Sequence, residues 1–256
     1  MLIPGIVSVT YKKESPAFVI DAAKAAGLKA IEWSENWHVP AGDVRAAEDL
    51  YRRTREAGLQ IAAYGSYFKL GTEEDPAGRF DQSLRAACAM HAPIIRIWGG
   101  VRASTDVTEP EWERMADEAR QAAAAAEKAG IKVALEWHRN TVTDTNESAE
   151  RFLRDVNSRN LYCLWQPTMA LSIKERTDGI DMLEKKGRLL NLHVYYWEED
   201  GRYPLAEGAG LWREYLRHVK KSEDRFALME FVRGDTKEQL VEDAKTLLKL
   251  VGGFNG

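Results

Sequence analysis

The sequence of 256 residues predicts an α/β protein of the (β/α)8 barrel class. Short apolar runs alternate with amphipathic or alanine-rich stretches along the whole chain, eight of each, which is the size and rhythm of such a barrel. The runs are nearly continuous in apolar residues, as suits parallel strands covered on both faces. No glycine-rich phosphate loop follows the first run, which argues against a doubly wound nucleotide-binding sheet. The eight units imply one barrel domain over residues 1–256.

The first strand falls within residues 3–9, with Pro4 and Gly5 blurring its start. Ser15 and Pro16 supply an N-cap and a first helical residue, and Phe18, Val19, Ala22, Ala23 and Ala26 form a stripe ending at Gly27. Residues 30–33 form the second strand, and Asp43 caps a helix that runs to Gly58. The third strand, 59–64, precedes a helix over about 78–91, and the fourth, 94–98, is closed by Gly99 and Gly100. A long helix over 110–129 contains five consecutive alanines of high helix propensity. The fifth strand opens KVALEWHRNTVTDT, residues 132–145, and leads to a helix over 146–156. Strands at 161–165, 189–195 and 226–231 follow, separated by helices over 172–186 and 211–221. Asp235 with Glu238 resembles a capping box for the last helix, which carries Leu240, Ala244, Leu247 and Leu248.

The composition, 45% hydrophobic and 30% charged, is that of a globular protein. No apolar run is long enough to span a bilayer, and the start MLIPGIVSVT lacks a basic segment ahead of an apolar one. A net charge of −4 with well-mixed signs gives no general attraction to nucleic acid or to anionic membrane. Cys88 and Cys163 are too few for a disulfide framework and too isolated for a zinc motif, so a reducing cytoplasm is expected.

The chemistry is read from the strand ends, because barrels of this kind carry their sites there. Strand two ends at Glu32, strand five at Glu136 and His138, and strand six at Trp165, Gln166 and Pro167. Strand seven carries His193 in LHVYYW and strand eight Glu230 in LMEF. Glu136 and Glu230 sit in apolar runs, where an unpaired carboxylate is costly. Two carboxylates, an imidazole and a carboxamide oxygen at one mouth suit a hard divalent cation, Mn2+ or Mg2+. Glu136 and Glu230 are then expected to act as both metal ligands and proton carriers, with His138 orienting substrate or serving as an acid.

These residues also carry a resemblance. AIEWSENWHVPAGD after strand two, LEWH and TDT around strand five, LHV at strand seven, YPLAEGAG in the next loop and MEF at strand eight resemble the xylose-isomerase-like TIM barrel superfamily. That superfamily includes sugar phosphate isomerases and epimerases, inosose dehydratase and the endonuclease IV group, and the similarity extends over all eight units. It implies a metal held by Glu, Asp, His and Glu from strands five to eight, of which Glu136, His193 and Glu230 match three. The fourth position holds Gln166 instead of Asp. A carboxamide oxygen can bind a cation but brings no charge, which predicts weaker metal binding and room for a different chemistry.

The expected function is metal-dependent isomerisation or epimerisation of a sugar or keto-sugar through an enediolate formed between the two glutamates. Elimination by a lyase or dehydratase is the alternative. An endonuclease-like phosphodiesterase would need more ligands than five histidines supply, and a non-catalytic sugar-binding protein is a further possibility. Glu32, His38, Lys69, Arg96 and Trp98 are candidate contacts for sugar hydroxyls and ring faces, and Arg233 for an anionic group. Trp33, Trp37, Trp137, Trp165 and Trp197 also gather near strand ends. The partner is therefore a small sugar rather than nucleic acid or membrane. The long polar loop 197–210 is a candidate lid or interface, and it leaves room for a homo-oligomer.

Overall fold

The computed structural model describes residues 1–256. Eight parallel strands close into a barrel: β1 (Leu2–Val7), β2 (Ala30–Ser34), β3 (Gln60–Lys69), β4 (Ile94–Trp98), β5 (Lys132–Glu136), β6 (Leu161–Trp165), β7 (Leu189–Val194) and β10 (Arg225–Met229). Each strand lies beside its neighbours in the chain, and β1 pairs with β10 to complete the ring. The remaining two, β8 (Trp197–Glu198) and β9 (Gly201–Arg202), form a small antiparallel hairpin outside the barrel. The loop 197–210 is therefore partly folded where the sequence predicted only irregular chain.

The surrounding helices are α1 (Pro16–Ala25), α2 (Val44–Glu56), α3 (Pro76–Ala89), α4 (Glu109–Lys128), α5 (Asn146–Val156), α6 (Ile173–Lys186), α7 (Ala209–His218) and α8 (Lys237–Asn255). Side-chain caps start most of them: Ser15 accepts from Phe18 N, Asp43 from Ala46 N and Thr145 from Ser148 N. Thr108 with Glu111 and Ser172 with Glu175 form capping boxes. Helix α7 spans Ala209–His218 where 211–221 was expected, and two further helix starts are set by their caps. Helix α3 begins at Pro76 because Asp75 accepts from Gly78 N. Helix α8 is capped by Thr236, while Asp235 adopts a left-handed φ of 52° and pairs with Arg202 at 2.8 Å.

Most of the core lies between barrel and helices, where one cluster joins 64 buried apolar residues. Leu135 and Val133 of β5 belong to it, and truncating such a leucine to alanine costs about 2–5 kcal/mol. A second, smaller cluster of Ala63, Ile94, Ala134, Leu164 and Leu190 brings β3 to β7 together. Side chains two residues apart share a face of a strand, so Arg96, Glu136 and Gln166 follow Ile94, Ala134 and Leu164 toward the mouth. No helix is long and apolar enough to cross a membrane.

Candidate active site

Five strands contribute to one buried chain of charges. Arg96 of β4 donates from Nη1 to Glu136 Oε2 at 2.6 Å and from Nε to Glu32 Oε1 at 3.2 Å. The other oxygen of Glu32 accepts from His193 Nε2 at 3.1 Å. His193 Nδ1 lies 3.4 Å from Glu230 Oε2 without forming a hydrogen bond. Gln166, in the turn after β6, donates from Nε2 to Glu136 Oε1 at 3.3 Å. The four charged partners of this network, Arg96, Glu32, Glu136 and His193, and also Glu230, are all buried.

Burial alone would raise the Glu32 carboxyl, but His193 and Arg96 outweigh it and hold the group below the usual carboxylate range. Burial likewise opposes charge on His193, yet Glu230 and Glu32 prevail and push its pKa up to about 10 in the metal-free protein. Burial of Arg96 is similarly offset by Glu136 and Glu32, which keep the guanidinium charged.

Glu136, His193 and Glu230 each offer a ligand atom, and these atoms lie within 4.8 Å of one another. The donor set fits a hard divalent cation on two further counts. Gln166 Oε1 is buried without a hydrogen-bond partner in the protein, and His193 Nδ1 faces only Glu230 Oε2, at 3.4 Å and without a hydrogen bond. Glu32, Glu136 and Glu230 together outweigh Arg96, leaving an excess of negative charge for a cation to neutralise. Glu32 holds the Nε2 side of the ring, an arrangement that orients Nδ1 as a ligand. Proton and cation are alternatives at Nδ1, since a metal-bound imidazole must be neutral there.

A cavity of about 290 Å³ opens over this cluster, with Arg96, Glu136, Gln166 and Glu230 in its wall. Tyr67, Trp98, Trp137, Tyr195, Trp197 and Phe231 supply its aromatic surface. His138 also lines it, 4.8 Å from the Trp98 ring between centroids. His138 Nδ1 lies 2.6 Å from the Arg139 carbonyl oxygen, which can only accept, so the neutral ring keeps its lone pair on Nε2. A larger groove of about 530 Å³ lies between α7 and α8, but its lining contains no carboxylate or imidazole.

The structure thus brings Glu136, His193, Glu230, Gln166, His138, Arg96 and Trp98 together around the cluster and cavity. Four expected substrate contacts are elsewhere. Glu32 is fully buried behind His193 and Arg96, so it holds those two groups instead of facing the cavity. His38 is spent between Ser8 Oγ, at 3.0 Å, and the Glu14 carbonyl oxygen, at 3.2 Å. Lys69 lies 5.7 Å from the Trp98 ring centroid and does not line the cavity. Arg233 is exposed on a 3-10 turn ahead of α8, not at the helix start, and is likewise outside the lining. Arg96 does line the cavity, with its Nε and Nη1 engaged by Glu32 and Glu136. Of the other tryptophans, Trp33 and Trp165 are core residues, and Trp37 is exposed against the Tyr67 hydroxyl.

Sequence reasoning did not single out Tyr67, Arg139, Thr168, Tyr195 and Phe231 as lining residues. Tyr67 was hidden because β3 continues five residues past its expected end at Tyr64. Tyr195 and Phe231 end apolar runs and gave a usable signal, whereas Thr168 lies beyond a proline that ends the strand pattern.

The family model described as xylose isomerase-like TIM barrel matches residues 20–250, and the chain belongs to that family. No curated protein sequence matches the chain. Among solved structures, the probable 3-DHS dehydratase AsbF of petrobactin synthesis from Bacillus anthracis superposes with a TM-score of 0.81 at 18% identity, covering 97% of this chain and 99% of that one. The IOLI protein with a bound zinc atom gives 0.77 at 16% identity, with 99% of each chain covered. An L-ribulose 3-epimerase gives 0.73 at 16% identity, covering 100% of this chain and 95% of that one.

Proposed function

We propose that this protein is a divalent-metal-dependent isomerase or epimerase that moves a proton beside the carbonyl of a sugar or keto-sugar. The observation that carries this reading is the grouping of Glu136, His193 and Glu230 at the barrel mouth, with His193 Nδ1 and Gln166 Oε1 lacking hydrogen-bond partners in the protein. These four residues would hold Mn2+ or Mg2+, which when bound supplies Lewis-acid polarisation of a substrate oxygen. Structures of an epimerase, a dehydratase and a zinc-bound protein on the same fold support the reading.

The two glutamates are not equivalent. Arg96 and Gln166 hold both oxygens of Glu136, whereas Glu230 has only His193 within ion-pair reach. Glu230 is therefore the freer base and takes the proton from the carbon next to the carbonyl. Return of a proton to the neighbouring carbon completes an isomerisation, and return to the opposite face completes an epimerisation. Glu136, oriented by Arg96, would serve that second face. The aromatic walls pack the apolar face of a sugar ring and exclude water from the carbanion-like centre. Arg96 and Glu32 are positioning residues in this scheme, since each acts through Glu136 or His193.

Elimination by a lyase or dehydratase is the second reading. The double engagement of Glu136 favours it, because one free carboxylate suffices for an elimination when it takes the proton from the carbon beside the carbonyl and returns that proton to the departing hydroxyl, which leaves as water. Incubation with a panel of ketoses in D2O and Mn2+ tests both. Solvent deuterium should enter the carbon next to the carbonyl, and Glu230→Gln should slow the exchange by about a hundredfold or more. A new enone absorbance marks elimination. Exchange that is unchanged in Glu230→Gln and in Glu136→Gln would remove the proposal.

A further inference from the structure

We infer that the substrate carries an anionic group, a carboxylate or a phosphate, remote from its reacting carbons, and that Arg139 binds it. The inference rests on reading the barrel mouth as a sugar-transforming site. It adds a substrate class and a specificity residue to that reading.

Arg139 lines the cavity, is exposed at its rim, and forms no ion pair within the protein. Its backbone is nevertheless tied down. The Arg139 carbonyl accepts from His138 Nδ1, the His138 carbonyl accepts from Thr141 Oγ1 at 2.6 Å, and Asn140 turns the chain with a φ of 58°. A fixed backbone carrying an uncommitted guanidinium is a ready receptor for a planar or tetrahedral oxyanion, which it can meet with two parallel hydrogen bonds.

Glu136 and Glu230 lie close together in the cavity wall, with Glu32 behind Arg96, and Arg139 is the lining arginine that no carboxylate engages. An anionic substrate entering such a field turns its charge toward Arg139 and presents its neutral hydroxy-ketone end to the glutamates. Trp98 Nε1, Trp197 Nε1 and Thr168 Oγ1 are buried donors on lining residues that find no acceptor in the protein. They suit hydroxyl or carboxylate oxygens along the length of the ligand. The volume of about 290 Å³ lies at the small end of ligand pockets, so it suits one monosaccharide and not a disaccharide.

The test compares three ketoses that differ only at carbon six: D-fructose, D-fructuronate and D-fructose 6-phosphate. Binding to the Mn2+-supplemented protein is measured by isothermal titration, beside deuterium exchange of the same compounds. One or both charged ketoses should bind about tenfold or more tighter than fructose, and the tighter one identifies carboxylate or phosphate as the recognised group. Arg139→Met should erase that preference while leaving fructose affinity within about twofold, and Arg139→Lys should restore part of it. Equal binding of all three, or equal weakening of all three in Arg139→Met, overturns the inference. If fructose is still exchanged in that event, the proposed function stands and only the anionic substrate falls. Failure of all three to bind at ~10 mM, with no exchange, overturns both.

Discussion

A methyl group at Gly65 would lie 2.7 Å from Arg96 Nη2 and 2.8 Å from Glu32 Oε1, so the buried ion pair occupies the space that any other residue would need. Gly65→Ala should therefore force the pair apart and cost about 3–5 kcal/mol in urea unfolding, the penalty for an uncompensated buried charge. Gly253→Ala, whose added carbon would meet nothing within 4 Å in α8, should be neutral or stabilising by up to about 1 kcal/mol. His38 gives a pH-dependent counterpart. Burial lowers its pKa from 6.5 despite smaller upward pulls from the Glu14 and Tyr11 backbone. The unfolded chain then binds the proton more readily, so the stability contributed by His38 is complete above 6.5 and is lost as pH falls toward its folded value. Unfolding free energies measured across that window should fall less steeply in His38→Gln than in the parent. At this scale the sequence showed which polar residues end strands but not what they meet. Glu32 pairs with residues 64 and 161 positions away, and only closure of the barrel decides that they, and not a sugar, take its oxygens.

Elements with local causes were legible. Ser15, Asp43 and the stripe of α1 announce helices because a cap acts within three residues of its own position. Boundaries set by distant contacts were not. The extension of β3 to Lys69 depends on its pairing with Trp98 across a bulge, and the β8–β9 hairpin is held where Arg202 reaches Asp235 and the rings of Trp197 and Phe231. The turn after β6 carries the most informative test at this scale. Gln166 supplies an amide N–H to Glu136 and leaves its own oxygen unpartnered. Gln166→Glu keeps the shape, adds a charge and removes that donor. Mn2+ affinity should rise by about tenfold as the ligand set gains a carboxylate, while the metal-free protein should lose about 1–3 kcal/mol as two buried carboxylates face each other. Calorimetric titration and melting with and without metal separate the two effects.

At the scale of the molecule, closure was foreseeable from eight apolar runs alternating with helices, and neighbour-by-neighbour strand order places the ends of β4, β5, β6, β7 and β10 around one mouth. The family and its fold were accordingly evident from strand-end residues, whereas the role of Arg96 as the bridge between Glu32 and Glu136 emerges only when the ring is complete. The same closure couples the site to the barrel. A cation that binds only the folded arrangement should stabilise it, by about 2.7 kcal/mol at a hundred times its dissociation constant. Melting temperature should therefore rise with Mn2+ in the parent and stay flat in Glu230→Gln. The most direct measurement is a titration of the metal-stripped protein with Mn2+ followed by the paramagnetic signal of the free ion. A single site per chain that disappears in Glu230→Gln is the expected result, and an undiminished free-ion signal at millimolar Mn2+ in the parent would contradict the metal-centred account.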